Sequence, residues 1–154
     1  MQRIRSVTFI LVCMLMTAPH AGEDRIAIRV GGVTAWVEVA VSDHARRQGL
    51  MYRQALAKDQ GMLLVFPREQ PVQIWMLNVP IPLDVGFFDD QGILLNWLTM
   101  QPDGGREIHR SSAPARYALE MNAGWFRRNG LVSGARLELP MSIEAAPDDY
   151  KQKR

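Results

Sequence analysis

Between Arg25 and Val41 the chain alternates apolar and other residues at a period of two. Val33, Ala35, Val37, Val39 and Val41 interleave with Thr34, Trp36, Glu38 and Ala40, and Gly31-Gly32 precedes them. A period of two predicts a strand with one buried face, and a glycine pair predicts a tight turn, so the segment reads as a hairpin. In "SDHARRQGLM" the pattern changes. Ser42 and Asp43 are capping residues, and Gly49 is a stop signal, which predicts one short helix. Apolar runs then return as "GMLLVF", "VQIWML", "PLDVGFFD" and "ILLNWLTM", with "DDQG" and "QPDGG" as turns. "RYALEM" reads as a later strand. Asn122 is placed to cap a short helix, "AGWFRRN", which Gly130 ends in the left-handed conformation. "ARLELP" supplies a closing strand.

These elements amount to seven or eight short strands and two short helices. Helices do not alternate with strands, so a doubly wound parallel sheet is not expected. The fold class expected is mainly β (α+β), a compact, mostly antiparallel barrel-like sheet, in which closure protects the edges. There is one domain and no internal repeat.

The stretch "WMLNVPIPLDVGFF", Trp75 to Phe88, interrupts an apolar run with Asn78, Pro80, Pro82 and one acid, Asp84. Two roles fit that acid. It could accept from backbone amides that lose ladder partners at the proline bend, as Asn78 could on the other side of Pro80. Alternatively, Asn78 and Asp84 could stand at the rim of a cleft floored by Trp75 or Trp125, with Arg53 as counter-charge. Aromatic plates with a few convergent polar groups suit sugars and other small polar ligands. Trp75 and Trp125 flank bends and are candidates for partial exposure. Trp97 sits among apolar neighbours and is expected in the core. Trp36 lies opposite the valine stripe and faces a second core or solvent.

Composition adds a compartment. Arg3 and Arg5 precede an apolar run, Val7 to Met16, and then small residues. Roughly ten apolar residues are too few to span a bilayer but fit a secretory signal. Residues 1–21 are therefore expected to be a signal peptide, 22–144 the domain, and 145–154 a polar, flexible tail. An uncleaved leader would be an N-terminal membrane anchor. A periplasmic or secreted domain is expected, with no stable membrane insertion once the leader is removed. The chain has 18 Lys+Arg and 16 Asp+Glu; the leader carries two arginines and no acid, so the remainder balances at 16 against 16. That is a poor footprint for nucleic acid, and none is expected as partner. "HARRQ" and "FRRNG" read as solvated helix faces. Cys13, the one cysteine, falls inside the leader, and Leu11 and Val12 before it do not suit a lipoprotein signal. No disulfide or thiol chemistry is then available to the domain.

Other chemistries lack their signatures. Beyond the leader the histidines are His44 and His109, without a zinc-ligand spacing. Met51, Met62, Met76, Met100, Met121 and Met141 are scattered singly, as gap-fillers are, and not gathered as a Cu(I) site would need. There is no G-x-S-x-G elbow, no phosphate loop, and no reason for Ser111 and Ser112 to join His109 in a triad. No cofactor and no metal are expected. One catalytic alternative stays open, a hydrolase pairing the carboxylates of Asp84 and Glu120, which would have to lie roughly 5–10 Å apart.

Three blocks, "VEVAVSDHARRQGLMYRQALAKDQGMLLVF", "WMLNVPIPLDVGFFDDQG" and "YALEMNAGW", resemble in order the DUF192 family of small, often exported bacterial and archaeal domains. The resemblance runs from about Ile26 to Leu139. Its carriers are Gly49, Leu50, Met51 and Arg53; Gly61, Met62 and Phe66; Trp75, Met76 and Asn78; Ile81 to Asp84; and Glu120, Gly124 and Trp125. It implies a barrel-like β fold with short helices and implies no activity. The chain departs from the family pattern at Ala45, Leu77 and Val79, where glutamate, lysine and threonine are usual.

The expectation is thus a non-enzymatic exported module, probed first at Arg53, Trp75, Asn78, Asp84 and Trp125. Its partner would be a small polar ligand, carbohydrate included, or an envelope protein, and it would act as a monomer. A purely structural accessory protein is the remaining alternative.

Overall fold

The computed structural model describes residues 25–147. The expected leader and most of the expected tail lie outside the described residues. The alternation around Gly31-Gly32 becomes an antiparallel hairpin of β1 (Ile26–Val30) and β2 (Val33–Ala40). Next comes α1 (Asp43–Gln48), capped by the Ser42 side chain, which accepts from the Ala45 N–H at 3.1 Å. Gly49 closes it at φ 47°, a conformation without strain only for glycine.

The chain then returns as β3 (Gln60–Gln70), which pairs with β2 in parallel. Residues 41–59, with α1 inside them, are long enough for the crossover that a parallel pair needs. The sheet is therefore mixed rather than purely antiparallel. The short β4 (Gln73–Ile74) is followed by the proline bend and by β5 (Leu83–Phe88), β6 (Leu94–Met100), β7 (His109–Arg110) and β8 (Ala115–Asn122). Next are α2 (Trp125–Arg128) and β9 (Leu137–Glu138). The sheet order is β6-β5-β8-β3-β2-β1-β9, while β4 and β7 form a separate ribbon. "VQIWML" thus yields only a two-residue strand, because the chain turns away at Trp75.

The seven-stranded sheet curls into a half-barrel. Ile93 bridges Arg136, the Leu94 N–H donates to Ala135 O at 2.9 Å, and the Leu137 N–H donates to Gly92 O at 2.7 Å. The segment leading into β9 thereby meets the segment leading into β6, the opposite edge. Two cores result, one on each face of the sheet. Ile28, Val37, Leu63, Val65, Leu119, Met121, Trp125 and Phe126 fill one face, and Met62, Leu64, Val85, Phe87, Ala118 and Leu50 pack on the other. Gly86 makes room for α2: a Cβ there would stand 2.4 Å from the Phe126 ring. Asn122 does not cap α2. Gly124 precedes that helix at φ 81°, and the Asn122 amide instead donates to Leu56 O and Ala57 O at 2.9 and 2.7 Å. Gly130 follows the helix at φ 64°, the left-handed stop expected. Among the described residues no helix is long and apolar enough to cross a membrane.

Candidate functional site

The five residues expected at one cleft do not meet. Asp84 is fully buried; its carboxylate accepts from Thr99 Oγ1 at 2.7 Å and from the Phe126 N–H at 3.2 Å. It ties β5 to β6 and to the first turn of α2, so it braces the structure, though through α2 and not through the proline bend. Trp125 is buried beside it, with its ring edge-on to Phe126 at 5.1 Å and its Nε1–H donating to Asp59 at 3.3 Å. Apolar core on both sides of a bend left this indole no route to solvent. Arg53 is not a counter-charge in a cleft. It clamps Glu38 on β2 with two hydrogen bonds, 2.8 and 2.5 Å long. Asn78 is exposed, with φ 56°, and its amide donates to Tyr52 Oη at 2.9 Å while its carbonyl accepts from the Tyr52 N–H at 2.7 Å. Tyr52 itself has φ 64°, so two left-handed residues hold each other.

Nor can Asp84 and Glu120 form a catalytic pair. Asp84 stands opposite Met121 in the ladder, and Glu120 opposite Val85. Opposed residues share a face and successive residues alternate. The two carboxylates therefore point to opposite faces of the sheet, which overturns the hydrolase alternative.

Of the five, Trp75 alone lines the cavity beside α1. This is a cleft of about 300 Å³ between α1, the loop after it, the outer face of β3 and β8, and β4. Leu50, Leu64, Phe66, Ile74, Trp75 and Val79 give it an apolar wall, and Glu120 lies in it. Val79 stands where the family pattern has threonine, so the wall here is more apolar than the resemblance implies.

Glu120 is only 6% exposed, and its Oε2 has no hydrogen-bond partner. Gly49 keeps the wall thin beside it, since a Cβ at that position would stand 3.5 Å from Oε2. Burial disfavours the charged form and pushes this carboxyl up to about 7 from an ordinary value of 4.5. At neutral pH it is balanced between acid and carboxylate.

The other charged groups at the cleft are engaged. The Arg46 guanidinium donates to Val41 O at 2.6 Å and Val65 O at 3.0 Å, and lies 5.4 Å from the centre of the Phe66 ring. Arg47 pairs with Asp43 at 2.7 Å. "HARRQ" is thus half a solvated face. Arg47 is solvated, but Arg46 is buried and fastens α1 to Val41, just after β2, and to Val65 in the middle of β3. Neighbours on a helix point about 100° apart, so in a six-residue helix lying on a sheet, one of two adjacent arginines faces inward. In the sequence Glu120 stood as a family-pattern position and as a possible partner of Asp84, with nothing to show which face covers it.

Among the described residues no group of three or more metal-ligating side chains occurs. The arrangement can accept a hydrogen bond or a proton at one buried point, between an apolar and aromatic wall and the polar side chains of α1 and β4.

The fold and this cleft, with Glu120 buried in it, define a small, mainly β domain. The chain belongs to the DUF192 family, described as "Uncharacterized ACR", whose model matches residues 26–139. Two solved structures are similar. One is a protein from Sinorhizobium meliloti 1021, provisionally described as a transcription regulator, with 36% identity and a TM-score of 0.69; the match covers 75% of this chain and 94% of that one. The other is a protein of unknown function from Novosphingobium aromaticivorans DSM 12444, with 25% identity and a TM-score of 0.73; the match covers 79% of this chain and 90% of that one. No curated protein matches the chain.

Proposed function

We propose that this domain is a binding module whose cleft takes a small molecule with an apolar body and one hydrogen-bonding head. The observation that carries the reading is Glu120, a buried carboxyl whose Oε2 has no partner, placed in a cavity with an apolar wall on one side and the polar residues of α1 on the other. A buried polar atom without a partner costs about 1–3 kcal/mol. A ligand that brings a donor removes that cost, whereas a purely structural role leaves it standing. The cleft has the volume of about ten water molecules at roughly 30 Å³ each, which suits a ligand of comparable heavy-atom count. Trp75, half exposed at its edge, supplies the aromatic plate expected for ligand contact.

The leader motif places this module outside the cytoplasm in our reading. A nucleic-acid role, which the description of the Sinorhizobium protein suggests, has no electrostatic support in a chain with 16 basic and 16 acidic residues over positions 22–154. The test is a thermal-shift screen of the purified protein against sugars, cell-wall fragments, small amphiphiles and divalent metals, with Trp75→Ala run in parallel. A ligand that binds only the folded state raises its stability by about 2.7 kcal/mol at a hundredfold excess over its Kd. We expect a small amphiphile to give such a rise in the native protein and a much smaller one in Trp75→Ala. A response confined to metals, or one that Trp75→Ala leaves intact, would refute the assignment of this cleft.

A further inference from the structure

We propose that the head group the cleft selects is a protonated amine, with the Glu120 carboxylate as its counter-ion. This deepens the binding reading above and rests on it.

The charges facing Glu120 in the cavity come from α1: Asp43, Arg46 and Arg47. Asp43 is held by Arg47 at 2.7 Å, and Arg46 by the Val41 and Val65 carbonyls and the Phe66 ring. Those contacts are made within the protein. Glu120 Oε2, buried and facing none of them at bonding distance, is the point where the cavity asks for a donor. A hydroxyl would meet the demand for a hydrogen bond. An ammonium would meet it and also supply the opposite charge that a desolvated carboxylate lacks. The ring face of Trp75 suits a cation as well. The remaining wall, from Leu50, Leu64, Ile74 and Val79, suits an aliphatic tail.

Binding of a cation by this acid is linked to protons. Below pH 7 the carboxyl is largely protonated in the empty protein, so pairing with an ammonium expels close to one proton per ligand. Above about pH 8 none is expelled. Affinity therefore rises as pH climbs to 7 and then levels.

The experiment is calorimetry of the full chain with n-hexylammonium, 1-hexanol and hexanoate, three probes of one shape and three charges. Runs at about pH 6 in two buffers of different ionisation enthalpy count the protons released. We expect hexylammonium to bind at least tenfold more tightly than hexanol, with near-stoichiometric proton release. In Glu120→Gln, a variant in which burial of a neutral side chain favours folding, the preference and the proton release both vanish while hexanol binding stays. Equal binding of hexanol and hexylammonium would overturn the amine proposal and leave the binding module standing. Preferential binding of hexanoate would overturn it in favour of an arginine-centred site. Failure of all three probes to bind would overturn both readings.

Discussion

Each face of the sheet has one buried acid, and the tryptophan considered with each, Trp125 or Trp75, meets a different fate. On the inner face Asp84 and Trp125 are sealed: the carboxylate is bonded to Thr99 and the Phe126 amide, and the indole packs on Phe126. On the outer face Glu120 and Trp75 border a cavity, the acid without a partner on Oε2 and the indole half in solvent. Asp84 and Glu120 sit one register step apart on adjacent strands. That single step selects the face, and the face decides whether an acid finishes a core or borders a cavity with one oxygen unpartnered. A buried acid is structural or functional according to its partners, not its burial.

The contrast breaks most visibly on the sealed face. Trp125→Ala should cost roughly 3–5 kcal/mol, as large-to-small changes at a filled site do. Urea denaturation would measure it. A loss under 1 kcal/mol would mean that this face is not closed.

Asp84→Ala should follow closely, at roughly 3 kcal/mol, because the Thr99 hydroxyl and the Phe126 N–H lose a charged acceptor away from water. The measurement is the same, and the expected signature includes fraying of α2 seen as faster hydrogen exchange at Phe126.

Glu120→Gln should act in the opposite direction. Below pH 4.5 the folded and unfolded wild-type chains both hold the proton. Between 4.5 and about 7 only the folded chain does, so wild-type stability falls as pH rises through that window. The whole fall is about 3 kcal/mol. Glu120→Gln should flatten that component and be the more stable protein at pH 8. Urea midpoints across pH 4 to 8 check this. A parallel pH dependence in wild type and variant would show that Glu120 is not the titrating group.

Trp75→Ala should have the smallest effect on folding, within about 0.5 kcal/mol, as expected for an exposed side chain. Its consequence should appear in ligand response instead. A loss as large as that of Trp125→Ala would erase the distinction between the two faces.

The hairpin around Gly31-Gly32, the capped α1, the buried β3 and the left-handed stop at Gly130 were legible in the chain because each is a local matter of periodicity, capping or glycine backbone freedom. The family was legible for the same reason, since its blocks are contiguous in the chain. The strand expected from Val72 to Leu77 was not, because pairing ends where no neighbour is available beyond Ile74. The candidate site was least legible. Trp75 alone of the five borders the cavity, and Arg53, Asn78, Asp84 and Trp125 each found a partner elsewhere in the fold.

The sequence by itself determined the turns, the cap of α1 and most strands, because local propensity and alternation act within a few residues. Only the tertiary structure decided which face of β8 is left hollow. That depends on what α1, the loop after it and β4 cover from a distance, and a strand's own alternation states that it has two faces without stating what lies on either. Glu120 became a candidate ligand-binding group through that long-range placement, and Asp84 became a brace through the same geometry one step away.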